Sequence, residues 1–407
     1  MQRVNISKFS IKSSNDKFLV SGSKSISQRA LIINYLLEDQ NPIQNISDCR
    51  DTYLLNSALL SSRSNVDVMD SGTTLRFLIS LFALQNRIVT LKGTSSLFNR
   101  PIDSLINVLN HLGSNIKIHN DKILIIDSHL RGGVVKMDAN VTSQFVSSLL
   151  LISPYLDGGI TICLNKSVFS KQYINMTLDM MNQCGGYARW QDNSIYVKQI
   201  KYSNPYTFVE SDWTSVSYLY LSFLFSDFTH INIGEFLVDS IQGDSSLRHF
   251  FSIFGIKTTF INSNIQLTKI HINQLPKTIH WNFKDNPDLF QTFAVACFGL
   301  GVTLFAKGLN TLYFKETNRI LSMKKELEKF NCSLDISTKN EALLTPNILD
   351  TRKIINVNTH NDHRMAMALA PLVLLNFNIS IDNIDVVNKS YPLFWEDLCK
   401  FGVSLTQ

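Results

Sequence analysis

The sequence predicts an α/β protein (α+β in some schemes) built from two similar domains, and three observations lead to this prediction. Apolar helical stretches and short β-like runs alternate along all 407 residues, as in mixed α/β or α+β chains. Two series of helix-end signals recur about every 70 residues, which indicates internal duplication. A chain of this length corresponds to two or three domains, and about six repeats group naturally as three plus three.

The first series of signals marks where helices begin. Six polar or glycine-containing turns run directly into apolar helical stretches, and their Ser, Thr, Asp and Asn residues are preferred helix caps. The predicted stretches are Ala30–Leu37, Leu75–Leu84, Phe145–Ile152, Val216–Phe225, Phe290–Gly299 and Met365–Leu375. Each start presents free N–H groups and the positive end of a helix dipole. We therefore expect an anion site wherever several starts converge.

The second series marks where amphipathic helices end. Four of them stop at Gly113, Gly185, Gly255 and Gly402, and a fifth stops at Asn331. Gly and Asn take the left-handed conformation that ends a helix at low cost. The β-like runs between helices include Ile88–Leu91, Ile116–Ile118, Ile123–Ile126, Ile160–Leu164, Ile231–Ile233, Thr258–Ile261 and Val302–Phe305. Each repeat should thus hold about two helices and four short strands, the first repeat being shorter and weaker.

Composition excludes several classes of protein. Hydrophobic residues make up 44% of the chain and Gly and Pro are scarce, which excludes disordered and collagen-like chains. The net charge of +5 is too small to indicate a nucleic-acid binder but permits an anionic ligand. The six cysteines lack metal-site spacing. Because no apolar run is long enough for a membrane helix and no signal peptide is visible, we expect a soluble cytoplasmic protein.

Basic residues cluster at the predicted helix starts. Arginine suits two-pronged capture of phosphate or carboxylate, whereas lysine acts as a point charge. The eight residues are Lys24, Arg29, Arg76, Arg100, Lys315, Arg319, Arg364 and Lys389. Each alone is consistent with a solvated surface charge, but together they predict a pocket for small phosphorylated or carboxylated substrates.

Two carboxylates, Asp288 and Glu316, stand among these cations and are candidates for a general acid or base. Asp288 also fits a plain helix cap. The chain lacks the glycine-rich motifs of nucleotide hydrolases and dinucleotide enzymes and the Gly-x-Ser-x-Gly of serine hydrolases. Those chemistries therefore have no support in the sequence.

Six motifs in this order resemble the 5-enolpyruvylshikimate-3-phosphate (EPSP) synthase family. The motif Asn361–Met367, which reads Asn-Asp-His-Arg-Met-Ala-Met, matches the family without change and is the most specific. The other five are Gly22–Ala30, Ser71–Arg76, Thr142–Phe145, Ser170–Ile174 and Lys315–Arg319. Together with Lys389 and the residues after it, the resemblance spans nearly the whole chain.

This resemblance implies a fold of two similar domains, each of three βαββαβ units, with helix N-termini facing an interdomain cleft that closes on substrate. The chain would cross twice between domains. Residues 21–209 would form the N-terminal-type domain, and residues 1–20 with 210–407 the discontinuous C-terminal-type domain.

The resemblance also implies a reaction of the shikimate pathway, which leads to chorismate and the aromatic amino acids. The enolpyruvyl group of phosphoenolpyruvate would pass to the 5-hydroxyl of 3-phosphoshikimate, with release of phosphate, through a tetrahedral intermediate. These two small anions would be the partners, and we expect no metal, no organic cofactor, no nucleic acid and no membrane. A monomer is the family expectation.

Residue roles carry over from the matching motifs. Asp288 would act as the base toward the 5-hydroxyl, Glu316 as the proton donor to the methylene carbon, and Lys24 would contact both substrates. The expected 3-phosphoshikimate contacts are Lys24, Ser25, Arg29, Thr142, Ser143, Gln144, Ser170, Tyr173, Asp288 and Lys315. The expected phosphoenolpyruvate contacts are Lys24, Gly72, Arg100, Gln144, Arg319, Arg364 and Lys389.

The sequence departs from the family pattern at five of these positions or next to them. Asn318 replaces an aspartate, which removes a charge near the phosphoenolpyruvate residues and puts the affinity there in question. The other departures are Asp70 for asparagine, Ser71 for alanine, Thr142 for serine and Thr311 for asparagine.

Three alternatives remain at this point. The sister transferase that acts on UDP-N-acetylglucosamine usually carries a reactive cysteine before its Arg-Pro, and Gly93–Arg100 contains none. A catalytically inactive, anion-binding relative is disfavoured by the intact Lys24, Asp288 and Glu316. A nucleic-acid-binding protein would require basic runs with interleaved aromatic residues, which the chain lacks.

Overall fold

The computed structural model describes residues 3–9, 17–119, 122–138, 143–165, 168–347 and 353–406. The α-helices in these ranges are α1 (Lys24–Leu37), α2 (Arg50–Leu60), α3 (Gly72–Leu84), α4 (Ser95–Phe98), α5 (Asp103–His111), α6 (Ser143–Ile152), α7 (Lys171–Gln183), α8 (Trp213–Phe225), α9 (Leu247–Ser252), α10 (Phe290–Gly299), α11 (Arg319–Lys329), α12 (His363–Leu369) and α13 (Phe394–Cys399). The strands are β1 (Arg3–Lys8), β2 (Phe18–Leu19), β3 (Asn65–Asp67), β4 (Val89–Lys92), β5 (Ser114–His119), β6 (Lys122–Ser128), β7 (Gly133–Asp138), β8 (Ile160–Asn165), β9 (Ala188–Gln191), β10 (Ser194–Val197), β11 (His230–Gly234), β12 (Ile256–Ile261), β13 (Asn264–Lys269), β14 (Thr278–Asn282), β15 (Thr303–Lys307), β16 (Cys332–Thr338), β17 (Glu341–Pro346), β18 (Ile354–Val357), β19 (Asn378–Asp382) and β20 (Val403–Thr406).

The chain divides into two compact units. The larger unit comprises Met1–Ser21 and Glu210–Gln407, and the smaller unit comprises Gly22–Val209. The sequence motifs put the two changes of domain after residues 20 and 209. Within the described residues, the larger unit holds three four-stranded sheets and the smaller unit holds two.

The five sheets share one topology. Their strand orders are β3-β4-β6-β5, β7-β8-β10-β9, β2-β11-β13-β12, β14-β15-β17-β16 and β18-β19-β1-β20. In each sheet the first two strands are parallel and the remaining pairings are antiparallel. The duplication predicted from the helix-end signals is therefore confirmed for five repeats. The remaining part of the smaller unit, which holds α1 and α2, forms an isolated bridge between Gln44 and Phe208 instead of a sheet in the described residues.

The order of elements within a repeat corrects one expectation. The resemblance implied βαββαβ, whereas the chain runs β-α-β-α-β-β, as in β14, α10, β15, α11, β16 and β17. The physical reason is that two parallel strands need a crossover helix between them, while the antiparallel pair needs only a tight turn. The second helix of the repeat therefore precedes a hairpin.

The predicted helix stops are confirmed by their backbone angles. Gly113, Gly185, Gly255 and Gly402 have φ of 113°, 89°, 77° and 89°, and Asn331 has φ of 59°. Each residue lies just beyond its helix and reverses the chain into a strand. These left-handed helix ends could be predicted from the sequence because they depend only on local residue type.

The helices of the first series form the cores of the units. Nearly all residues of α8, α10 and α12 in the larger unit are buried. The same holds for α3 and α6 in the smaller unit. A helix that is apolar all round belongs in an interior. Packing on every side fixes these helices, so the polar residues at their N-terminal ends are held in defined positions.

Candidate active site

Arg319, the first residue of α11, is the centre of a buried cluster in the larger unit. Its guanidinium donates to three carboxylates: Nη1 to Asp288 Oδ1, Nη2 to Glu316 Oε2 and Nε to Asp362 Oδ2, each at 2.7 Å. Burial by itself would lower the pKa of Arg319, but Asp362, Glu316 and Asp288 outweigh burial and raise it. The cation is therefore permanent, and its planar fork fixes the three carboxylates relative to one another.

Asp288 lies in the 3₁₀ turn Pro287–Leu289 that leads into α10. Besides Arg319, its carboxylate contacts Lys315 Nζ and Arg364 Nη2, both at 3.1 Å. Burial raises the pKa of Asp288, but the charges of Arg364, Lys315 and Arg319 together hold it well below its usual range. Without a ligand, Asp288 is therefore an ionised carboxylate shared by three cations.

Two further buried cations join this cluster. Arg364, in the first turn of α12, donates from Nη1 to Tyr218 Oη at 3.3 Å. Lys389 Nζ lies 3.8 Å from Glu316 Oε1, and its side chain is 4% exposed. Asp362 caps α12 by accepting from the backbone N–H of Arg364 at 2.9 Å. The larger unit thus brings together all the site residues that the sequence placed in it.

Arg29, in α1, is a buried cation of the smaller unit. It donates to Thr177 Oγ1 and the Ser25 carbonyl at 2.7 Å, to Ser147 Oγ at 3.1 Å and to the Tyr173 carbonyl at 3.2 Å. Burial lowers its pKa to about 10. In the described part of the chain its hydrogen-bond acceptors are all neutral, so a bound anion would supply the missing counter-charge.

Two arginines of the smaller unit converge on Gly72, the first residue of α3. Arg76 Nη1 donates to the Gly72 carbonyl at 2.8 Å and Arg76 Nη2 to the Pro101 carbonyl at 3.1 Å. A Cβ atom on Gly72 would lie 2.6 Å from Arg76 Nη1 and 2.7 Å from Arg100 Nη1. The absence of a side chain at Gly72 therefore lets both guanidinium groups approach the backbone.

Side chains tie together the starts of four helices in the smaller unit. Lys24 Nζ of α1 lies 3.4 Å from Asp51 Oδ2 of α2. Thr74 Oγ1 of α3 donates to the Asp51 carbonyl at 3.1 Å, and Gln144 Nε2 of α6 donates to Thr73 Oγ1 at 2.8 Å. Helix N-termini thus meet within this unit, and their positive dipole ends add to the charge of Lys24 and Arg29.

The remaining predicted residues of the smaller unit sit at the starts of α6 and α7. Ser143 begins α6 and is buried, and Ser170 caps α7 in a left-handed conformation with φ of 55°. Tyr173 follows in the first turn of α7, where its carbonyl receives Arg29. Thr142 lies outside the described residues.

Three residues of these clusters had no role in the sequence analysis. Asp362 belongs to the best-matched motif, so its signal was visible, although its contact with Arg319 was not. Asp51 lies in the first turn of α2, in the weakest repeat, where no motif marks it. Tyr218 lies inside α8, where a tyrosine looks like any other core residue.

The structure explains how two departures from the family pattern are accommodated and shows the surroundings of a third. Asp70 forms an ion pair with Arg50, with 2.7 Å between Asp70 Oδ1 and Arg50 Nη2. Asn318 caps α11 by accepting from the backbone N–H of Leu321 at 3.2 Å, a role that needs an acceptor and no charge. Thr311 is buried, and its hydroxyl has no hydrogen-bond partner in the part of the chain that the structure describes.

Comparison with known proteins decides the family. Residues 55–398 match the family model described as EPSP synthase (3-phosphoshikimate 1-carboxyvinyltransferase). The chain belongs to the EPSP synthase family. A 3-phosphoshikimate 1-carboxyvinyltransferase of Bacteroides fragilis strain YCH46 is 37% identical over 391 residues, which cover 94% of each chain. Another from Buchnera aphidicola of Schizaphis graminum is 26% identical over 428 residues, which cover 95% of this chain and 96% of the relative.

Solved structures show the same fold as the EPSP synthase family. An EPSP synthase from Acinetobacter baumannii superposes with a TM-score of 0.73 at 18% identity, covering 100% of both chains. The enolpyruvyl transferase NikO from Streptomyces tendae gives a TM-score of 0.75 at 13% identity, covering 99% of both chains. The predicted family, α/β fold and enzyme class are confirmed, and membership supports EPSP synthase function over the alternatives considered above.

In the described ranges, no three or more His, Cys, Asp or Glu side chains are grouped so that they could hold a metal ion. None of the helices that the structure describes is long and apolar enough to cross a membrane.

Proposed function

We propose that the chain transfers the enolpyruvyl group of phosphoenolpyruvate to the 5-hydroxyl of 3-phosphoshikimate and releases phosphate. The observation that carries this proposal is the cluster around Arg319, in which buried cations hold Asp288 and Glu316. Two small anionic substrates need buried cations, and their reaction needs two groups that carry protons.

We assign 3-phosphoshikimate to a set of residues that includes Arg29 in the smaller unit and Lys315 in the larger unit. Arg29 supports this assignment because its acceptors in the described residues are neutral. The full proposed set is Lys24, Ser25, Arg29, Thr142, Ser143, Gln144, Ser170, Tyr173, Asp288 and Lys315. The hydroxyls of Thr142, Ser143 and Ser170 would donate to the phosphate, as expected for residues at helix starts.

We assign phosphoenolpyruvate to the arginine-rich residues. Arg100 beside Gly72 and the Arg319–Arg364 pair offer planar forks that suit a carboxylate or a phosphate. The full proposed set is Lys24, Gly72, Arg100, Gln144, Arg319, Arg364 and Lys389. Close approach of a planar anion to the backbone requires that residue 72 have no side chain.

The proposed chemistry has two steps. In the addition, Asp288 accepts the proton of the 5-hydroxyl, the oxygen bonds to C2 of phosphoenolpyruvate, and Glu316 gives a proton to C3. In the elimination, the ionised Glu316 takes a proton back from C3, the double bond re-forms, and the bond from C2 to the phosphate oxygen breaks, which releases phosphate. Lys24 would contact both substrates and assist the movement of protons.

Substrate binding would change the acidity of Asp288. In the free protein the cations around Asp288 hold its pKa down, which makes it a weak base. Anionic substrates would neutralise the same cations, so the pKa of Asp288 would rise toward that of a useful base. The pocket would therefore become reactive only when it is loaded.

Location and assembly are part of the same proposal. We propose a cytoplasmic monomer that acts without a metal or organic cofactor, as the EPSP synthase family suggests. Gel filtration at micromolar concentration tests the monomer, and prior dialysis against a chelator tests whether the rate depends on a metal.

Release of phosphate from phosphoenolpyruvate tests the function. We expect release only when 3-phosphoshikimate is also present, and none with UDP-N-acetylglucosamine in its place. The variants Lys24→Ala and Glu316→Gln should lose at least about a hundredfold in rate. Glu328→Gln, on the exposed face of α11, is the matched control and should be unaffected. A purified, folded chain that binds both substrates but releases no more phosphate than Glu316→Gln would instead be an inactive anion-binding relative.

A further inference from the structure

The turn between β18 and α12 has an unusual backbone. His360 and Asn361 are both left-handed, with φ of 52° and 55°. Two successive left-handed residues other than glycine are uncommon and persist only where neighbouring groups hold them. The turn delivers Asp362, which binds Arg319, and Arg364, which binds Asp288. Its conformation therefore sets the geometry of the Arg319 cluster.

Glu326 of α11 holds this turn at two points. Its Oε1 accepts from the ring Nε2 of His360 at 2.7 Å, and its Oε2 accepts from the backbone N–H of Asn358 at 2.9 Å. Lys329 Nζ also donates to Glu326 Oε2, at 2.6 Å. The Glu326 side chain is 1% exposed, so these contacts are made away from bulk water.

A second residue of α11, Arg319, also contacts this turn. Arg319 and Glu326 are seven residues apart on α11, close to two helical turns, so they lie on one face of the helix. Arg319 contacts Asp362, while Glu326 contacts His360 and Asn358. The turn is thus fixed to α11 at both of its ends, and a shift at one end would be transmitted to the other.

We propose that Glu326 is a positioning residue for the enolpyruvyl transfer: through His360 it holds the turn that places Asp362 and Arg364. This inference rests on the proposed function. Glu326 does not itself touch the other carboxylates of the Arg319 cluster in any contact the described residues make. Its loss should therefore disturb the phosphoenolpyruvate residues and leave the residues around Arg29, in the other unit, intact.

The kinetic test uses Glu326→Gln, which keeps the size of the side chain but loses its charge. We expect kcat/KM for phosphoenolpyruvate to fall about tenfold or more, because small misplacements of binding groups are costly. The KM for 3-phosphoshikimate should change less than the KM for phosphoenolpyruvate, because most of the residues assigned to it lie around Arg29 in the other unit. His360→Ala should behave like Glu326→Gln, whereas His360→Gln, which keeps an N–H donor, should recover most of the activity. The double variant Glu326→Gln with His360→Ala should be no worse than either single variant, since both remove one interaction.

Glu328→Gln on the same helix and Lys329→Met, which leaves His360 bound to Glu326, are the controls. Both should keep wild-type kinetics for phosphoenolpyruvate. The proposal would be overturned if Lys329→Met lost as much kcat/KM for phosphoenolpyruvate as Glu326→Gln does. It would also be overturned if Glu326→Gln kept the wild-type kcat/KM.

Hydrogen exchange separates this proposal from the proposed function. Backbone amides of residues 358–364 should exchange at least about tenfold faster in Glu326→Gln than in Glu328→Gln, while the remaining peptides of α11 are unchanged. If the wild-type chain releases no phosphate, the proposed function fails but this measurement still tests the contact. If exchange in residues 358–364 is the same in both variants, Glu326 does not hold the turn and the inference is wrong.

Discussion

Asp288 and Arg319 form a buried ion pair, with 2.7 Å between Asp288 Oδ1 and Arg319 Nη1. The same guanidinium also binds Glu316 and Asp362. One cation therefore joins a residue ahead of α10, a residue ahead of α11 and the cap of α12. Because the three carboxylates share Arg319, its planar guanidinium fixes their positions relative to one another.

Replacing Arg319 by lysine should destabilise the protein even though the charge is kept. A single ammonium group cannot face three carboxylates at once, so at least one would be left buried and unpaired. We expect the free energy of unfolding in urea to fall by about 3 kcal/mol, and phosphate release to fall at least about a hundredfold. Arg63→Lys, at an exposed position, is the control. If the free energy of unfolding of Arg319→Lys is within about 0.5 kcal/mol of that of Arg63→Lys, the shared guanidinium contributes little to stability.

Gly72→Ala should lower activity without lowering stability. Its Cβ would stand 2.7 Å from Arg100 Nη1, so the ends of Arg76 and Arg100 must move away. We expect KM for phosphoenolpyruvate to rise about tenfold, equivalent to about 1.4 kcal/mol. Because Gly72 begins α3, alanine should leave the free energy of unfolding equal or higher by about 0.5 kcal/mol. An unchanged KM for phosphoenolpyruvate would show that Arg76 and Arg100 can move away from the new Cβ without weakening substrate binding.

The Arg50–Asp70 ion pair should compensate for the acidic residue at position 70. Asp70 lies two residues before Gly72, and Arg50 neutralises it at 2.7 Å. Removing the cation in Arg50→Ala should raise KM for phosphoenolpyruvate about twofold to threefold, a modest effect because both side chains are partly exposed. Adding Asp70→Asn should restore the wild-type value, and high salt should reduce the difference. A double variant as poor as Arg50→Ala would mean that Arg50 acts independently of Asp70.

Local sequence signals predicted a large part of this fold. The six helix starts and the five left-handed helix ends depend on residue types within one or two turns, and each appears where the sequence predicted it. The strand order did not follow from the sequence alone, since pairings such as β1 with β19 join residues at opposite ends of the chain. The order of elements that the resemblance implied for a repeat was likewise wrong, and the apolar runs could not correct it because they do not reveal which strands form the hairpin.

The site was predictable where a motif marked it and hidden where contacts are long-range. Asp288, Glu316 and Arg319 lie in or beside recognisable helix starts, and the structure brings them together. The partnership of Lys24 with Asp51, and that of Glu326 with His360, joins side chains more than 25 residues apart in sequence. A single sequence holds no signal for such pairs.

Asp244 should make the stability of the protein fall as pH rises from about 4 to 7. This carboxyl group is 4% exposed and accepts a hydrogen bond from Thr214 Oγ1. Burial, with a contribution from Asp288, raises its pKa to about 7. In the unfolded chain an aspartate titrates near about 3.9. Between these values the folded state binds more protons than the unfolded state, so the free energy of unfolding decreases with pH.

The comparison of Asp244→Asn with the wild type isolates this contribution. Asparagine cannot ionise, so the free energy of unfolding of the variant minus that of the wild type should grow by up to about 1.4 kcal/mol per pH unit from pH 4 to 7. Above pH 7 the difference should level off, because both states of the wild type are then ionised. Urea unfolding at pH 5, 6, 7 and 8 measures it, with the exposed Asp335→Asn as control. A difference that stays flat from pH 5 to 8 would mean that Asp244 is already ionised in the folded protein, with Arg364 outweighing the effect of burial.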